Sequence, residues 1–521
     1  MMRRRVEIMD TTLRDGEQTS GVAFTDSEKL TIARVLLEEV KVDRLEIASA
    51  RVSHGERIAA EKIIAWAREL NLAERVEILG FVDGHASLDW IADVGGKVVN
   101  LLAKGSLKHL QGQLRKTKEQ HLEDIQREIM YANKLGITVN LYLEDWSNGM
   151  KTDRDFIYFL LKNLSEYPVS RIMLPDTLGV LTPAESYEYC ADVCQGFPSY
   201  TFDFHAHNDY DLATANALEA ARAGITGFHT TVNGLGERAG NTTLSSLVAA
   251  FSDHATLEMG VDERKLFKIS KLVETFSGQR IPSNKPLIGD NVFTQTCGVH
   301  ADGDSKDQLY FNKLMPERFG RVRKYALGKT SGKANIRQNL AELGIEIDDD
   351  SLRKVTQRVI ELGDKKETIT MEDLPYIVAD VLDWESIRET VRVDNYNLSH
   401  TKGLKPVASL SIRIDGNHYE ANASGDGQYD AFMNALKQIY QLRDEALPDL
   451  IDYQVSIPPG GRTDAIVETT ITWMHGREFR TKGIDTDQTF AAIKATEKML
   501  NIIHLDHSTG YQQLSKEEIT L

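Results

Sequence analysis

The sequence predicts an α/β protein made of a closed (β/α)8 barrel, helical connector subdomains and a C-terminal α+β domain of two ββα repeats. Eight short β-rich runs alternate with amphipathic helical stretches through the first 240 residues, and this spacing is typical of a closed barrel. In the C-terminal part of the chain, two strands followed by a helix occur twice. A doubly wound open sheet is the alternative, although such sheets seldom reach eight units without a long insertion.

The barrel strands are predicted from β-branched and aromatic residues between turn signals. They are Val6–Leu13, Arg44–Ser49, Val76–Val82, Val98–Lys104, Thr138–Asp145, Arg171–Thr177, Tyr200–Asn208 and Gly227–Gly234. Apolar residues at helical spacing predict helices between them. Examples are Asp26–Val40, Glu56–Leu70, Lys118–Leu135 and Leu212–Ala223. Because parallel barrel strands end on one face, the residues that follow each strand are the candidates for chemistry.

Beyond the barrel, a helix is predicted at Arg264–Gly278, followed by an irregular connector rich in proline and glycine and by short helices over 351–382. Two strands joined by a turn and followed by a helix then occur twice. These elements are Val407–Ile414, His418–Ala423 and Gln428–Arg443, then Ile466–Trp473, Arg477–Lys482 and Thr486–Ile502. Two such units usually pack on each other. The predicted domains are a catalytic barrel over 1–265, connector subdomains over 266–400 and a regulatory domain over 401–521.

Composition excludes several classes of protein. The 521 residues carry 61 Lys and Arg against 78 Asp and Glu, a net charge of −17, which argues against binding to nucleic acid or to an anionic membrane. No apolar run approaches the roughly 18–20 residues that cross a bilayer. Three scattered cysteines do not make a disulfide framework, so a reducing cytoplasm is the expected location.

Residues after three of the strands predict a metal site. His205 and His207 share one face of their strand because they are two residues apart, so they can chelate one ion. Asp15 offers a carboxylate, and Asn241, in a glycine-rich loop, offers an amide oxygen. Arg14, next to Asp15, can hold a carboxylate. The alternatives are a pair of hydrogen-bonded core histidines and a surface ion pair between Arg14 and Asp15.

Two further strand ends carry carboxyl groups. Glu144 and Asp145 follow the fifth strand, while Asp176 and Thr177 follow the sixth. A carboxyl group at the barrel mouth near a metal is a candidate for proton transfer. The alternative is that these residues cap the helices that follow.

Four motifs resemble those of the isopropylmalate, homocitrate and citramalate synthases. They are Asp10–Gln18, His205–Asp209, Asn233–Asn241 and Gly298–Asp302, and the likeness runs along nearly the whole chain. That family consists of metal-dependent TIM barrels that condense acetyl-CoA with a 2-oxo acid. The resemblance therefore implies a divalent cation (Mn, Mg, Co or Zn), acetyl-CoA as one substrate and a homodimer.

Other stretches resemble the citramalate synthases of this family. These are Ile47–Ser53, Tyr142–Gly149 and Ser424–Met433. Isopropylmalate synthases typically carry a His near Leu102 and a Ser near Tyr142, whereas here Leu102, Tyr142 and Leu79 are expected to fill the space of a branched substituent. The resemblance implies pyruvate as acceptor, (R)-citramalate as product and a role in isoleucine biosynthesis. An isopropylmalate synthase acting on 2-oxoisovalerate is the alternative.

The resemblance also assigns roles to individual residues. It matches Asp15, His205, His207 and Asn241 to the metal ligands, Arg14 and Thr177 to the 2-oxo acid, Tyr142 to the acceptor's methyl group and Glu144 to acetyl-CoA. It matches His300 to the proposed base, with Tyr310 beside it, both supplied by a partner subunit.

The C-terminal repeats are expected to bind an aliphatic amino acid, with isoleucine as the expected effector. The residues that resemble the effector pocket of citramalate synthases are Tyr429, Asp430, Leu450, Tyr453, Ile457, Val467 and Gln488. Asp430 is expected to meet the ammonium group. A plain dimerisation domain is the alternative. An amino-acid sensor that uses the repeats alone, or a lyase or aldolase on the same barrel, is disfavoured by the complete set at the barrel mouth and by His300.

Overall fold

A computed structural model describes residues 4–255, 257–307, 309–343, 345–364, 369–382, 391–457 and 467–508. The chain divides into two units. The first comprises Met1–Thr294 and Phe311–Arg323, and the second comprises Gln295–Tyr310 and Lys324–Leu521. No helix within the described ranges is both long and apolar enough to span a membrane.

The first unit confirms the predicted barrel, since eight parallel strands close on themselves in sequence order. They are β1 (Glu7–Asp10), β2 (Arg44–Ser49), β3 (Val76–Phe81), β4 (Val98–Lys104), β5 (Thr138–Glu144), β6 (Val169–Asp176), β7 (Phe202–Ala206) and β8 (Gly227–Thr230). β1, β7 and β8 are shorter than predicted. After β1, for example, the Thr12 amide donates to the Asp10 side chain at 2.9 Å, which turns the chain out of the sheet.

Helices surround the barrel in the expected places. Those of the first unit are Asp26–Arg34 continued by Val35–Val40, His54–Glu69, Ala86–Asp93, Leu107–His109 continued by Leu110–Leu114, Lys118–Lys134, Trp146–Thr152, Arg154–Leu164, Pro183–Gly196, Ala213–Ala223, Leu244–Ala250 continued by Phe251–Ala255, and Leu266–Ser277. Thr25, Thr117 and Thr182 each begin a helix with a capping box. Such boxes satisfy amide groups that the first helical turn leaves unpaired.

Alternation along β4 and β5 places functional side chains in matched pairs inside the barrel. Asn100 pairs with Asn140, Leu102 with Tyr142 and Lys104 with Glu144. Side chains two residues apart share a face, so each strand presents an amide, then an apolar group, then a charged group toward the mouth.

The second unit contains the helices Gly298–Asp307, Lys333–Glu342, Asp349–Asp364 and Leu374–Leu382, followed by the two repeats. Each repeat is a three-stranded antiparallel sheet with one helix, and so has one strand more than predicted. The first contains β9 (Val391–Ser399), β10 (Val407–Ile414), β11 (Asn417–Ser424) and the helix Gln428–Leu442. The second contains β12 (Asp449–Ser456), β13 (Val467–His475), β14 (Arg477–Asp485) and the helix Gln488–Ser508. One apolar core joins residues of both repeats, among them Phe432 and Trp473.

Candidate active site

Three predicted ligands meet at the mouth of the barrel. The Asp15 Oδ2 lies 3.2 Å from the His205 Nε2 and 4.0 Å from the His207 Nε2. The two Nε2 atoms are 3.4 Å apart. All three side chains are buried, with exposed fractions from 1% to 7%. This arrangement is compact enough for one ion to reach a ligand atom of each residue.

The loop after β8 folds back onto the end of β7 and brings Asn241 to this cluster. His207 and Asn241 pair as an isolated antiparallel bridge, and the Asn208 amide donates to the Gly240 carbonyl at 2.8 Å. Gly240 has a φ of 85°, and a Cβ there would overlap the Gly234 carbonyl oxygen. The glycines of this loop therefore let the backbone approach closely enough to present Asn241. We call Asp15, His205, His207 and Asn241 the ligand cluster.

The protonation states in the ligand cluster suit a cation. Burial alone would raise the pKa of Asp15, but the Arg14 charge and the contacts with His205 outweigh it, so the pKa falls well below 3.8. Burial and the neighbouring His205 lower the pKa of His207 to about 4. The buried Asp15 Oδ1 and Asn241 Oδ1 have no hydrogen-bond partner among the described residues. An anionic carboxylate, a neutral imidazole at His207 and an open amide oxygen are donors that suit a divalent cation.

Arg14 is held beside the ligand cluster by an acidic residue of the next strand. Its Nε donates to the Glu46 Oε2 at 2.6 Å, and its Nη1 lies 3.5 Å from the Asp15 Oδ2. Its guanidinium carbon stands 6.0 Å from the centre of the Tyr142 ring. The Arg14 guanidinium is therefore fixed between the ligand cluster and the aromatic ring of Tyr142.

An apolar group lines the barrel interior next to Arg14. Leu79, Leu102 and Tyr142, which we call the apolar wall, pack in one small cluster. Sequence reasoning missed three other members of this cluster, namely Met9, Phe81 and Met173. Phe81 could have been found from alternation, because it lies two residues after Leu79 on β3.

Glu144 and Thr177 both have partners that the sequence did not indicate. The Glu144 carboxylate forms an ion pair with Lys104 across β4 and β5. The Asp145 amide donates to the Thr177 Oγ1 at 2.9 Å, so the Thr177 hydroxyl proton remains available to another acceptor. Asp176 accepts from two amides of the following loop, but the helix after this loop is capped by Thr182 and not by Asp176.

Arg238 ties three loops together around the ligand cluster. Its Nε and Nη2 donate to the two carboxylate oxygens of Asp209 at 2.7 and 2.9 Å, and its Nη2 also donates to the Thr177 carbonyl at 2.8 Å. The loops after β6, β7 and β8 are therefore joined by one guanidinium. No sequence pattern pointed to this role, because Arg238 and its two partners are far apart along the chain.

The predicted base and its neighbour lie together in the second unit. The rings of His300 and Tyr310 are 4.2 Å apart between centroids and are tilted by 38°. His300 is half-buried, and 43% of Tyr310 is exposed. Both side chains can therefore be reached by a ligand.

The predicted effector residues are partly gathered in the repeats. The Tyr429 and Tyr453 rings are 5.5 Å apart, and Gln488 is exposed at the start of its helix. The Tyr429 hydroxyl is 2.7 Å from the Thr496 hydroxyl.

The remaining effector residues differ in exposure. Leu450 and Ile457 are 44% and 59% exposed, whereas Val467 is buried. Asp430 is exposed at the start of its helix, where it accepts from the Asp426 amide at 2.8 Å. Its carboxylate is thus already partly occupied by a local contact.

Comparison with known families covers most of the chain. Residues 5–273 match the HMGL-like family. Residues 287–367 match the homocitrate synthase post-HMGL domain-like family, and residues 368–504 match the LeuA allosteric (dimerisation) domain.

Curated relatives match over nearly their full length. A putative (R)-citramalate synthase of Methanopyrus kandleri is 36% identical over 468 residues, which is 89% of each chain. A probable 2-isopropylmalate synthase of the same organism is 35% identical and covers 95% of this chain and 98% of its own. The (R)-citramalate synthase of Methanocaldococcus jannaschii is 33% identical and covers 96% and 99%. The chain therefore belongs to the HMGL-like family, among the acyl-transferring condensing enzymes that include the citramalate and 2-isopropylmalate synthases.

Proposed function

We propose that this protein is an (R)-citramalate synthase, which converts acetyl-CoA, pyruvate and water into (R)-citramalate and CoA. The observation that carries this choice is the apolar wall beside Arg14 and the ligand cluster. An acceptor held by its carboxylate and keto oxygen would turn its substituent toward Leu79, Leu102 and Tyr142. A methyl group suits a space closed by three large side chains better than a branched chain does.

The ligand cluster would hold a divalent cation, whether Mn, Mg, Co or Zn. When bound, such a cation polarises a keto group and stabilises negative charge that develops on its oxygen. Arg14 has five N–H donors, of which Glu46 occupies one, so it retains donors for the acceptor's carboxylate. The Thr177 hydroxyl accepts from the Asp145 amide and can therefore donate its own proton to the same carboxylate.

His300 is the proposed base and acts with Tyr310 beside it. It takes a proton from the methyl group of acetyl-CoA, and the resulting carbanion attacks the keto carbon of pyruvate while the keto oxygen gains a proton. Water then cleaves the thioester and releases CoA, which makes the reaction effectively irreversible. By the family resemblance, His300 serves the barrel of a partner subunit, so the active form is a homodimer. Glu144 is proposed to face acetyl-CoA.

A thiol-release assay with a panel of 2-oxo acids tests this function. We expect pyruvate to give the highest kcat/KM and 2-oxoisovalerate to be strongly disfavoured. Each extra methylene is worth about 1–3 kcal/mol of discrimination in a tight pocket. Equal kcat/KM values for the two acids would contradict the proposal and favour 2-isopropylmalate synthase, the second candidate, which a relative of similar identity supports.

We also propose that the two repeats bind isoleucine and inhibit the enzyme. Their match to the LeuA allosteric (dimerisation) domain supports a regulatory role. The contact of the Tyr429 and Tyr453 rings offers an aromatic lining for one ligand.

A further inference from the structure

A line of buried polar side chains runs behind the apolar wall. The Tyr142 hydroxyl lies 2.9 Å from the His229 Nδ1, and the His229 Nε2 lies 3.2 Å from the Asp203 Oδ2. None of the three side chains is more than 2% exposed. Sequence reasoning assigned no role to His229 or Asp203, although both belong to barrel strands that flank the ligand cluster.

The charges around Asp203 fix the direction of both hydrogen bonds. Arg44 forms an ion pair with Asp203, and the Arg171 Nη1 lies 3.1 Å from its other oxygen. Because both cations pair with Asp203, this side chain is an anion that only accepts hydrogen bonds. The proton of a neutral His229 therefore lies on Nε2, and the Nδ1 accepts the proton of the Tyr142 hydroxyl.

This bond determines what Tyr142 presents to the acceptor. Its hydroxyl is committed to His229, so only the carbon part of the ring is left to face the acceptor. The edge of the ring packs against His205, with centroids 6.0 Å apart at 87°, and Arg14 lies over it at 6.0 Å. Rotation of the ring away from the acceptor would break the bond to His229 and leave a buried hydroxyl unpaired, which is costly.

We propose that His229, oriented by Asp203, is a positioning residue that holds the Tyr142 ring against the acceptor and thereby sets the selectivity for a small 2-oxo acid. This inference rests on the proposed function, since it assumes that Tyr142 faces the acceptor. It assigns to His229 no contact with the substrate and no proton transfer.

A double-mutant cycle tests the proposal with His229→Leu, Tyr142→Phe and the double variant. The measured quantity is the ratio of kcat/KM for pyruvate to that for 2-oxobutyrate, which is longer by one methylene. We expect each single change to lower this ratio about tenfold, the lower end of the discrimination worth one methylene. The double variant should lower it no further, because both changes break the same bond. His229→Gln, which keeps an acceptor and a donor, should restore most of the ratio.

Three controls separate positioning from damage. His504→Leu removes another histidine bound to an aspartate, 2.7 Å from Asp415 in the second unit, and should leave the ratio unchanged. Metal content per chain is measured in His229→Leu because the His229 ring also neighbours His205. It should be unchanged. The changes in melting temperature should be non-additive as well, so that the double variant loses less than the two single variants together.

Calorimetric binding of the two acids to the metal-loaded protein distinguishes failure of this inference from failure of the proposed function. Two results together would reject the condensation and support the positioning. The first is that the unmodified protein releases no thiol with any 2-oxo acid. The second is that the ratio of the affinities for pyruvate and 2-oxobutyrate falls in His229→Leu. A folded, metal-replete His229→Leu protein with an unchanged ratio would overturn the positioning. Additive effects in the cycle, or loss of metal from His229→Leu, would overturn it as well.

Discussion

At the scale of single residues, the ligand cluster combines the anionic Asp15 with the neutral His207 among buried side chains. Asp15 keeps its charge because Arg14 and His205 outweigh the effect of its burial. His207 stays neutral because burial disfavours its cation. Asp15 and His207 are thus in the protonation states in which such side chains bind a cation.

Replacing His207 with alanine should abolish metal binding at this site. The loss of activity is expected to exceed the roughly 10–100-fold effect of removing a supporting contact around a metal. Thiol release and metal content per chain, measured before and after chelator treatment, check this expectation. His254→Ala, outside the ligand cluster, is the control. A His207→Ala protein with near-normal, chelator-resistant activity would show that the cluster holds no essential metal.

Changing His300 to asparagine should give a protein that binds metal and pyruvate normally but turns over about 100- to 10,000-fold more slowly, the usual contribution of a general base. Exchange of the acetyl-CoA methyl protons in deuterated water reports on the base directly. Tyr310→Phe, which keeps the ring beside His300, should lose less activity. Exchange at the unmodified rate in His300→Asn would refute the role of the base.

At the scale of elements, a buried histidine links a helix to a barrel strand and makes the barrel sensitive to acid. His121, in the helix Lys118–Lys134, accepts from the Lys104 amide at 3.0 Å. Burial lowers the pKa of His121 to about 4. Below pH 6.5 the unfolded chain binds a proton there that the folded chain refuses, so the free energy of unfolding decreases as the pH falls.

The expected loss from this histidine is about 2 kcal/mol between pH 6.5 and pH 5. Melting temperatures measured from pH 7 to pH 5 should therefore fall less steeply in His121→Gln than in the unmodified protein. His54→Gln, at an exposed helix start, should follow the unmodified curve. Parallel curves for the His121 variant and the unmodified protein would mean that His121 is protonated equally in both states.

The guanidinium that joins the three loops should also matter for metal affinity. Arg238→Ala removes its bonds to Asp209 and to the Thr177 carbonyl, and we expect metal affinity to fall about 10–100-fold. Titration of the metal-free protein with Mn²⁺ measures this. Arg222→Ala, which removes an exposed ion pair with Glu219, is the matched control and should bind as before. An Arg238→Ala protein of unchanged affinity would show that the loops hold their positions without it.

The elements that the sequence predicted best were those with a regular apolar period and clear ends. β10, for example, begins and ends where predicted, because its buried and exposed residues alternate. β9 was missed because a register shift between Val393 and Asn395 interrupts the alternation of its apolar and polar residues. The ligand cluster was predicted from strand ends, whereas the partners Lys104 and Arg238 were not, since their contacts depend on loops and register that no local pattern encodes.

At the scale of the whole molecule, binding of an amino acid to the repeats is expected to change the activity of the barrel. Isoleucine should inhibit the initial rate, with a change in apparent affinity of about 5–150-fold, as is typical of allosteric coupling. Leucine and valine serve as comparison ligands. Tyr429→Ala and Asp430→Ala should weaken the inhibition, while Lys437→Ala, exposed on the same helix, should not. No inhibition at millimolar isoleucine, or intact inhibition in both variants, would exclude this pocket.

The alternation along β5 limits how this part of the gene can evolve. Asn140, Tyr142 and Glu144 serve three different purposes, yet all depend on one register with β4. Inserting or deleting a single codon within the strand would turn the side chains on one side of the change to the opposite face. Substitutions, in contrast, can alter the acceptor preference at Tyr142 and leave its two neighbours in place. Proteins that evolve from this chain should therefore differ within β5 by substitutions and not by insertions or deletions.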